Sequence, residues 1–266
     1  MPEFSIITIN YNNRAGLQKT LESVWSQKAS DFEYIIIDGG STDGSRELIQ
    51  ENASRFTAWV AEPDQGIYHA MNKGLALASG TYCLFLNSGD SLASSDVMQQ
   101  VRAQNASEQI LYGEVYFEYP DGSRKLAGIP EKLSMEYLFG DNIWHPSTFI
   151  LRELLKEMGG YNQSYAIAAD YEFFFHALAI NQVSSKRLAF PVSIHVADGL
   201  SSRPENLEKI REERDRIHRQ YLSPGMIESL TKLVVLQRSG AVRMGNWLDR
   251  RPILKTIVSR IFKSRK

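Results

Sequence analysis

The chain has 266 residues, of which 43% are hydrophobic and 23% are charged, a balance typical of an ordinary folded domain and unlike that of a disordered chain. Its single cysteine excludes a disulfide framework and indicates a reducing compartment. The amino terminus has no basic region of a leader, and no uncharged apolar run approaches the roughly 18 residues of a membrane span. These features predict a cytoplasmic protein.

The net charge of −1 hides two regions of opposite sign. Residues 203–266 carry 16 Lys and Arg against 7 Asp and Glu, a net charge of +9, which leaves −10 on residues 1–202. The split predicts a catalytic domain over residues 1–202 and a basic helical C-terminal extension over residues 203–266, which meets something anionic.

The first ninety residues alternate predicted strands with predicted helices. Short β-branched runs predict strands, and apolar residues at helical spacing predict the helices between them. The strands are predicted at residues 4–9, 34–37, 59–61 and 82–86, with helices over residues 17–25, 46–52 and 66–79. Gly80 is predicted to cap the third helix. Strand-helix alternation with short links predicts an α/β fold with a mostly parallel central sheet flanked by helices.

Polar side chains follow the ends of these predicted strands. They are Asn10, Tyr11, Asp38, Asp43, Asp64, Gln65 and Asp90. Because ligands bind outside the carboxyl ends of strands in open α/β sheets, we expect these residues at one crevice. The GxGxxG and GxxxxGK[ST] fingerprints are absent, which disfavours a nicotinamide or flavin cofactor and a P-loop. A nucleotide whose phosphates are held by a metal ion fits better.

The segment LFLNSGDSL, residues 84–92, ends an apolar run in a tight polar turn. A carboxylate there, Asp90, can hold Mg²⁺ or Mn²⁺ against a phosphate because these ions prefer oxygen ligands. Asp also closes many turns that bind nothing. The turn by itself leaves both interpretations open.

Four segments together resemble the family 2 glycosyltransferases of the GT-A fold. They are SIITINYNN, IIIDGGSTDGS, EPDQGIYHAMNKGLALASG and FLNSGD, and the resemblance covers residues 4–202. It is closest to bacterial enzymes of colanic acid, O-antigen and capsule assembly. The resemblance implies a GT-A (Rossmann-like nucleotide-binding) fold with a nucleotide-sugar half, residues 1–92, and an acceptor half, residues 93–202.

The implied activity is transfer of a single sugar from a nucleotide-diphosphate-sugar donor, with UDP-sugar favoured. The acceptor hydroxyl would belong to a lipid-linked or growing surface polysaccharide, and the anomeric carbon would be inverted. The QxxRW signature of processive synthases is missing, which favours single-sugar transfer.

The resemblance assigns one set of residues to the nucleotide: Thr8, Asn10, Tyr11, Asp38, Asp64, Gln65, Lys73 and Asn87. The first-strand segment would cradle the base, the acid that ends the second strand would accept a hydrogen bond from it, and the segment before the third helix would approach the ribose. Lys73 is equally consistent with a diphosphate contact and with a solvated lysine. Asp43 is equally consistent with a ligand contact and with an acid at a helix start.

Asp90 matches the last acid of the family's DxD-type metal motif. Many relatives have acids where this chain has Asn87 and Gly89, so Asp90 is the only carboxylate in the turn. A divalent metal cofactor, Mn²⁺ or Mg²⁺, is expected, with weak affinity until donor phosphate oxygens and water complete its coordination. His195 is a second-rank candidate ligand, because a late histidine joins the metal in many GT-A enzymes.

The second half is expected to supply the acceptor side of the site. The segment AADYEF, residues 168–173, resembles the family segment whose Asp is the general base, so Asp170 is predicted to take the acceptor proton. An N-cap role for Asp170 is compatible with this one. Glu172 is the second candidate, and His145 is a candidate for the acceptor pocket or for a structural role. Gly199 to Ser202 resemble a loop that closes over the substrates.

The extension is predicted to be helical. Leu207, Ile210, Ile217 and Tyr221 form a stripe that predicts a helix packed back on the domain. Residues 252–262 predict a basic amphipathic helix, either packed on the core with a solvated basic face or lying on an anionic bilayer. Residues 241–266 are therefore a candidate for contact with the inner face of the cytoplasmic membrane, and the resemblance implies a polyprenyl-linked or oligosaccharide acceptor there.

Other classes of function are weighed against this one. A sugar nucleotidylyltransferase would need a glycine-rich basic phosphate loop, which is not seen. A catalytically inactive nucleotide-sugar-binding protein is compatible with the reduced metal motif. Nucleic acid is not expected as a partner, because the main domain is acidic and contains no recognisable nucleic-acid-binding module.

Overall fold

The computed structural model describes residues 2–196 and 203–239. Its first strands are β1 (Phe4–Asn10), β2 (Phe32–Asp38), β3 (Ala58–Ala61) and β4 (Tyr82–Phe85). They are linked by α1 (Arg14–Trp25), α2 (Ser45–Glu51) and α3 (Ile67–Leu77). The strands pair in parallel in the order β3-β2-β1-β4. The predicted alternation of strands and helices is confirmed for this half.

The second half adds five strands and further helices within the described residues. The strands are β5 (Ser91–Leu92), β6 (Ile110–Glu118), β7 (Arg124–Ala127), β8 (Thr148–Leu151) and β9 (Ser185–Val196). The helices are α4 (Val97–Arg102), α5 (Met135–Gly140), α6 (Arg152–Glu157), α7 (Ala169–Phe174), α8 (Leu207–Tyr221) and α9 (Pro224–Arg238). A π-helical turn, Phe175–Ile180, continues α7.

The complete sheet is mixed, which refines the expectation of a mostly parallel one. Beyond β4 the order is β8-β6-β9-β5, with β7 on β6, and only β6 and β9 are parallel there. One of the four antiparallel pairs, β6 with β7, is a hairpin, because a short turn can join only antiparallel strands. The turn between β6 and β7 is closed by a hydrogen bond from Tyr119 N to Ser123 O at 2.9 Å.

The apolar core lies on both faces of the sheet. All seven residues of β1 are buried, as expected for a strand covered by helices on both sides. Successive side chains of a strand point to opposite faces, so Ile6 packs in one cluster with Leu17 of α1 and Ile7 packs in the other with Met71 of α3. Gly74 lets α3 approach closely, because a Cβ there would lie 2.4 Å from Ile7 Cγ2.

Gly80 does not cap α3, and that prediction was wrong. The helix ends at Leu77 with Ala78 as its C-cap. Gly80 instead donates its backbone N–H to Ser5 Oγ at 2.9 Å and to the buried Glu33 carboxylate at 3.0 Å. A Cβ on Gly80 would lie 2.6 Å from Ser5 Oγ and 2.8 Å from Ser5 N. The glycine is therefore needed for close approach to β1, not for a helix end.

The extension folds back on the domain through α8, as predicted. Ile217 is fully buried and belongs to the main apolar cluster, whereas Leu207, placed in the same predicted stripe, is 47% exposed. Of the helices that the structure describes, none is long and apolar enough to cross a membrane. The expectations for residues 199–202 and 241–266 fall outside the described residues.

His218 of α8 is a buried titratable group. Its Nε2 lies 2.6 Å from the Tyr171 hydroxyl, and its ring stacks on Phe139 with 4.0 Å between centroids. Burial, and after it the charge of Arg214, lower the pKa of His218 to about 4. The native imidazole is therefore neutral at pH 7, and its Nε2 shares a hydrogen bond with the Tyr171 hydroxyl.

Acidification is expected to destabilise the fold through His218. The unfolded chain binds a proton with a pKa near 6.5 and the folded chain only near 4, so this stabilisation is complete above pH 6.5 and is lost as the pH falls through about 4. The full loss is about 3 kcal/mol of unfolding free energy. Urea unfolding of the wild type and His218→Gln between pH 7 and 4 measures it. We expect the wild type to lose stability relative to the variant; a pH-independent difference would contradict the assignment.

Candidate active site

The first part of the site lies where β1 and β2 end side by side. Asn10 Nδ2 donates to Asp38 Oδ2 at 2.7 Å, and Ser41 Oγ donates to the same oxygen at 2.7 Å. The other oxygen, Asp38 Oδ1, accepts from the backbone N–H of Gly40 and Ser41. Asp38 is fully buried, while Asn10 Oδ1 is buried without a hydrogen-bond partner among the described residues. The sheet edge therefore offers a ligand one free amide oxygen beside a fully bonded carboxylate.

Tyr11 and Asp64 both lie close to Gly39, which follows β2. A Cβ on Gly39 would lie 3.3 Å from Tyr11 Cδ2 and 3.2 Å from Asp64 Oδ2. The Tyr11 ring is 67% exposed, and Asp64 Oδ2 is buried with no partner in the described chain. An open aromatic face and an unsatisfied carboxylate oxygen are suited to a base and a sugar hydroxyl, respectively. Thr8 lies deeper, with its hydroxyl 3.1 Å from the Tyr34 hydroxyl.

Lys73 is an ion-paired side chain. Its Nζ lies 2.6 Å from Asp64 Oδ1 and 2.8 Å from Glu62 Oε1, and its side chain is 19% exposed. Burial lowers the pKa of Lys73, but the two carboxylates outweigh burial and raise it. His69 Nδ1 also lies 3.1 Å from Asp64 Oδ1. Gln65 lies at the same turn, where its backbone N–H donates to His69 Nδ1 at 3.3 Å.

Asp43 has the structural role that the sequence left open. Its carboxylate accepts the backbone N–H of Arg14 at 2.8 Å and of Ser45 at 3.1 Å. These residues begin α1 and α2, whose first N–H groups lack partners within the helix. Asp43 therefore ties two helix starts together.

Asp90 and His195 meet at the turn after β4. Asp90 is 4% exposed, and its Oδ1 lies 2.7 Å from His195 Nδ1. The two are brought together because β5 and β9 are antiparallel neighbours, with Ser91 opposite Ile194. Gly89 has a φ of +106°, a conformation that an acid at this position would adopt only with strain.

The Asp90–His195 pair has the chemistry of metal ligands, but the pair alone does not complete a metal site. Nowhere in residues 2–196 and 203–239 do three or more His, Cys, Asp or Glu side chains form a group that could hold a metal ion. One carboxylate and one imidazole are nevertheless suitable ligands for a divalent ion. Asn87 Oδ1, in the same turn, is buried and accepts no hydrogen bond within that part of the chain. These groups leave coordination positions for phosphate oxygens and water.

Asp170 is a recessed carboxylate with three donors around it. Tyr171 N and the Tyr68 hydroxyl lie 2.8 and 3.1 Å from its Oδ1, and His145 Nδ1 lies 3.2 Å from its Oδ2. Burial raises the pKa of Asp170, but His145, the Tyr171 N–H and the Tyr68 hydroxyl outweigh it, and the pKa is lowered. The side chain keeps 15% exposure. Asp170 is therefore an ionised acceptor that a substrate can reach.

The N-cap of α7 is Ala168, so the N-cap interpretation of Asp170 was wrong. Asp170 lies within the first turn of this helix instead. Its side chain is thereby left to the contacts with His145 and Tyr68.

His145 connects Asp170 to the turn that contains Asp90. Its Nε2 lies 3.1 Å from Asn87 Nδ2, and its Nδ1 faces Asp170. A neutral imidazole with its proton on Nδ1 satisfies both contacts, donating to the carboxylate and accepting from the amide. The sequence singled out each of these residues without showing that they touch. Tyr68 was missed, although it lies in the GIYHAMNKG segment.

Glu172 has a different environment from Asp170. It is 7% exposed and accepts a hydrogen bond from the Tyr221 hydroxyl of α8. Its carboxylate therefore joins α7 to α8, and we remove it from the candidate acceptor residues.

Residues 5–160 match the family model described as glycosyl transferase family 2. The chain is 35% identical over 187 residues to an uncharacterized glycosyltransferase of Mycobacterium tuberculosis, covering 67% of this chain and 70% of the relative. It is also 35% identical over 178 residues to a PGL/p-HBAD biosynthesis glycosyltransferase of Mycobacterium bovis, covering 65% of this chain and 68% of that one.

Solved structures share the fold at low sequence identity. The complex of S. aureus TarS with UDP-GlcNAc has a TM-score of 0.65 at 16% identity and covers 88% of this chain and 71% of TarS. The mannosyltransferase PcManGT of Pyrobaculum calidifontis, in complex with GDP-Man and Mn²⁺, has a TM-score of 0.57 at 15% identity and covers 97% and 83%. The architecture is that of GT-A glycosyltransferases.

Proposed function

The chain belongs to glycosyl transferase family 2 and is a glycosyltransferase, and from that premise we propose a single-sugar, inverting transfer from a nucleotide-diphosphate-sugar to an acceptor hydroxyl. One observation carries the proposal: the Asp170 carboxylate contacts His145, and His145 contacts Asn87 in the turn of Asp90. The proposed general base and the proposed cation ligand are thus linked through one path of hydrogen bonds.

We assign the nucleotide to the crevice at the ends of β1, β2 and β3. Tyr11 offers an exposed ring for stacking, and Asn10 Oδ1 and Asp64 Oδ2 offer unsatisfied acceptors for N–H or O–H groups. A UDP-sugar is proposed first because the TarS complex that shares this fold holds UDP-GlcNAc. The PcManGT complex holds GDP-Man, so a test of the donor must include both bases.

A divalent cation, Mn²⁺ or Mg²⁺, would be held by Asp90 and His195, and it would supply the positive charge that stabilises a departing diphosphate. Asn87 would contribute an amide oxygen or a hydrogen bond to the donor. Asp170 accepts the proton of the acceptor hydroxyl while the new C–O bond forms on the face opposite the nucleotide. His145 keeps the Asp170 carboxylate oriented during this step.

A donor screen tests this function directly. Purified protein is melted with a panel of UDP-, GDP- and dTDP-sugars in Mn²⁺, and one base is expected to raise the melting temperature. A donor at 100 times its Kd stabilises the native state by about 2.7 kcal/mol. If no nucleotide-sugar stabilises the protein, the proposal fails. A donor that binds without hydrolysis or transfer would favour the inactive binding protein, and pyrophosphate release from a nucleoside triphosphate and a sugar phosphate would favour a nucleotidylyltransferase.

We further propose a polyprenyl-linked or oligosaccharide acceptor, reached at an anionic membrane surface through residues 241–266. That segment has 8 Lys and Arg against 1 Asp, a charge that attracts anionic lipid headgroups. Co-sedimentation with anionic and neutral vesicles, with and without residues 241–266, measures the contribution. Equal pelleting of both proteins on anionic vesicles would refute the membrane contact.

A further inference from the structure

The loop before Asp170, residues 164–168, is bound by a buried carboxylate from the C-terminal extension. Glu213 of α8 is 7% exposed. Its Oε1 accepts the N–H of Ala166 at 2.7 Å, and its Oε2 accepts those of Ile167 and Ala168 at 3.0 and 2.9 Å. The hydrogen bonds from these three successive N–H groups to one carboxylate are charge-assisted, and such bonds are stronger than those between neutral groups. The bond from Ala168, the N-cap of α7, also satisfies an N–H group that has no partner within the helix.

The same loop is also connected to the proposed base, through the hydroxyl of Tyr68. The Tyr68 hydroxyl lies 2.5 Å from Ile167 O and 3.1 Å from Asp170 Oδ1. Ile167 is thus hydrogen-bonded through its N–H to Glu213 and through its carbonyl to Tyr68. A displacement of the loop would move Asp170, which follows Ala168 by two residues.

The α8 helix also holds the residues on either side of Asp170. The Arg214 guanidinium lies 3.9 Å from the ring centroid of Tyr171, and that of Arg216 lies 4.2 Å from the ring centroid of Tyr165. Such cation–π contacts are favourable at both exposed and desolvated sites. The α8 helix of the extension therefore packs against the segment that contains the proposed base.

We propose that Glu213 is a positioning residue for sugar transfer, holding the 164–168 loop so that Asp170 faces the acceptor hydroxyl. The inference rests on the proposed role of Asp170 as the base. Removal of the Glu213 carboxylate would leave three N–H groups to find other partners, and the loop would shift. A misplacement of about 1 Å at a reacting group can cost about 100-fold in rate.

Glu213→Ala is expected to lower kcat by about 10- to 100-fold while leaving the donor Kd and donor KM within about twofold of the wild type. Glu213→Gln is expected to retain part of the activity, because its amide oxygen still accepts hydrogen bonds. Glu212→Ala is the matched control, since Glu212 is the exposed neighbour on the same helix. Wild-type kcat in Glu213→Ala would overturn the proposal. A parallel loss of donor binding and kcat would also overturn it, because it would indicate general unfolding.

The double variant Asp170→Asn/Glu213→Ala separates this inference from the proposed function. If Glu213 acts through Asp170, its removal costs no further activity once Asp170 cannot accept a proton. Equal losses from Glu213→Ala in both backgrounds would overturn the positioning role. Turnover retained in Asp170→Asn alone would instead overturn the proposed base. Where the residual activity of Asp170→Asn is below detection, the kcat and KM values of the single Glu213 variants decide the outcome.

Discussion

Replacing Asp170 with Asn is expected to lower kcat for sugar transfer by about 100- to 10,000-fold, the usual contribution of a general base. In the wild type, Tyr171 N and the Tyr68 hydroxyl both donate to Asp170 Oδ1. The amide oxygen of the variant can still accept these hydrogen bonds. The side chain can no longer take a proton from the acceptor. Steady-state kinetics with saturating donor and acceptor measure the loss.

Donor binding provides the control for this variant. The residues proposed for the nucleotide, Asn10, Tyr11 and Asp64, are not among the hydrogen-bond partners of the Asp170 side chain, so the donor Kd is expected to stay at its wild-type value. Asp215→Asn is a matched substitution at an exposed side chain paired with Arg219, and we expect it to keep full activity. Turnover of Asp170→Asn near the wild-type rate would eliminate Asp170 as the base.

Replacing Asp90 with Asn is expected to lower kcat/KM by about 100- to 1,000-fold, the range seen when a charge-stabilising group is removed from an active site. In the wild type, Asp90 Oδ1 lies 2.7 Å from His195 Nδ1. The substitution keeps the size of the side chain and an oxygen that can face the same nitrogen. It removes the negative charge that a divalent cation needs. The Mn²⁺ dependence of donor binding should therefore weaken in the variant, measured by titration calorimetry.

Metal affinity should also depend on the donor. With one carboxylate and one imidazole at the site, we expect weak Mn²⁺ binding to the protein alone and tighter binding once a nucleoside diphosphate is present. Asp96→Asn is the control, because Asp96 lies at the surface, where it pairs with Lys28. Tight Mn²⁺ binding to the bare protein, or an Asp90→Asn variant with unchanged metal dependence, would contradict the assignment.

Local patterns in the sequence predicted the first half of the fold well. Runs such as residues 4–9 and 34–37 are β-branched and lie in buried parallel strands, because a strand covered on both faces must be apolar throughout. The second half was harder. Antiparallel β8 lies between β4 and β6, and nothing in the local composition of residues 148–151 specifies its neighbours. Strand order is a property of the whole sheet.

The same limit applies to the predicted site residues, because the sequence shows the functional group of a residue and not the neighbours that it meets. Glu172 and Asp170 are two residues apart with the same functional group, yet Glu172 contacts Tyr221 and Asp170 contacts His145. Side chains at this spacing on a helix do not share a face, but which face meets the substrate depends on where α8 packs. Glu213 had no sequence signal at all, because its partners are backbone N–H groups.

The sequence by itself determined the alternation of strands and helices in the first half, the polar turns at the strand ends, and the presence of a single carboxylate, Asp90, in the turn after the fourth strand. These features depend on hydrophobic periodicity and turn chemistry, which act over a few residues. The tertiary structure alone decided that Asp90 meets His195, that His145 links Asn87 to Asp170, and that Glu213 binds the loop before Asp170. Each of these contacts joins residues far apart in the chain, and such pairs meet only through sheet register and helix packing.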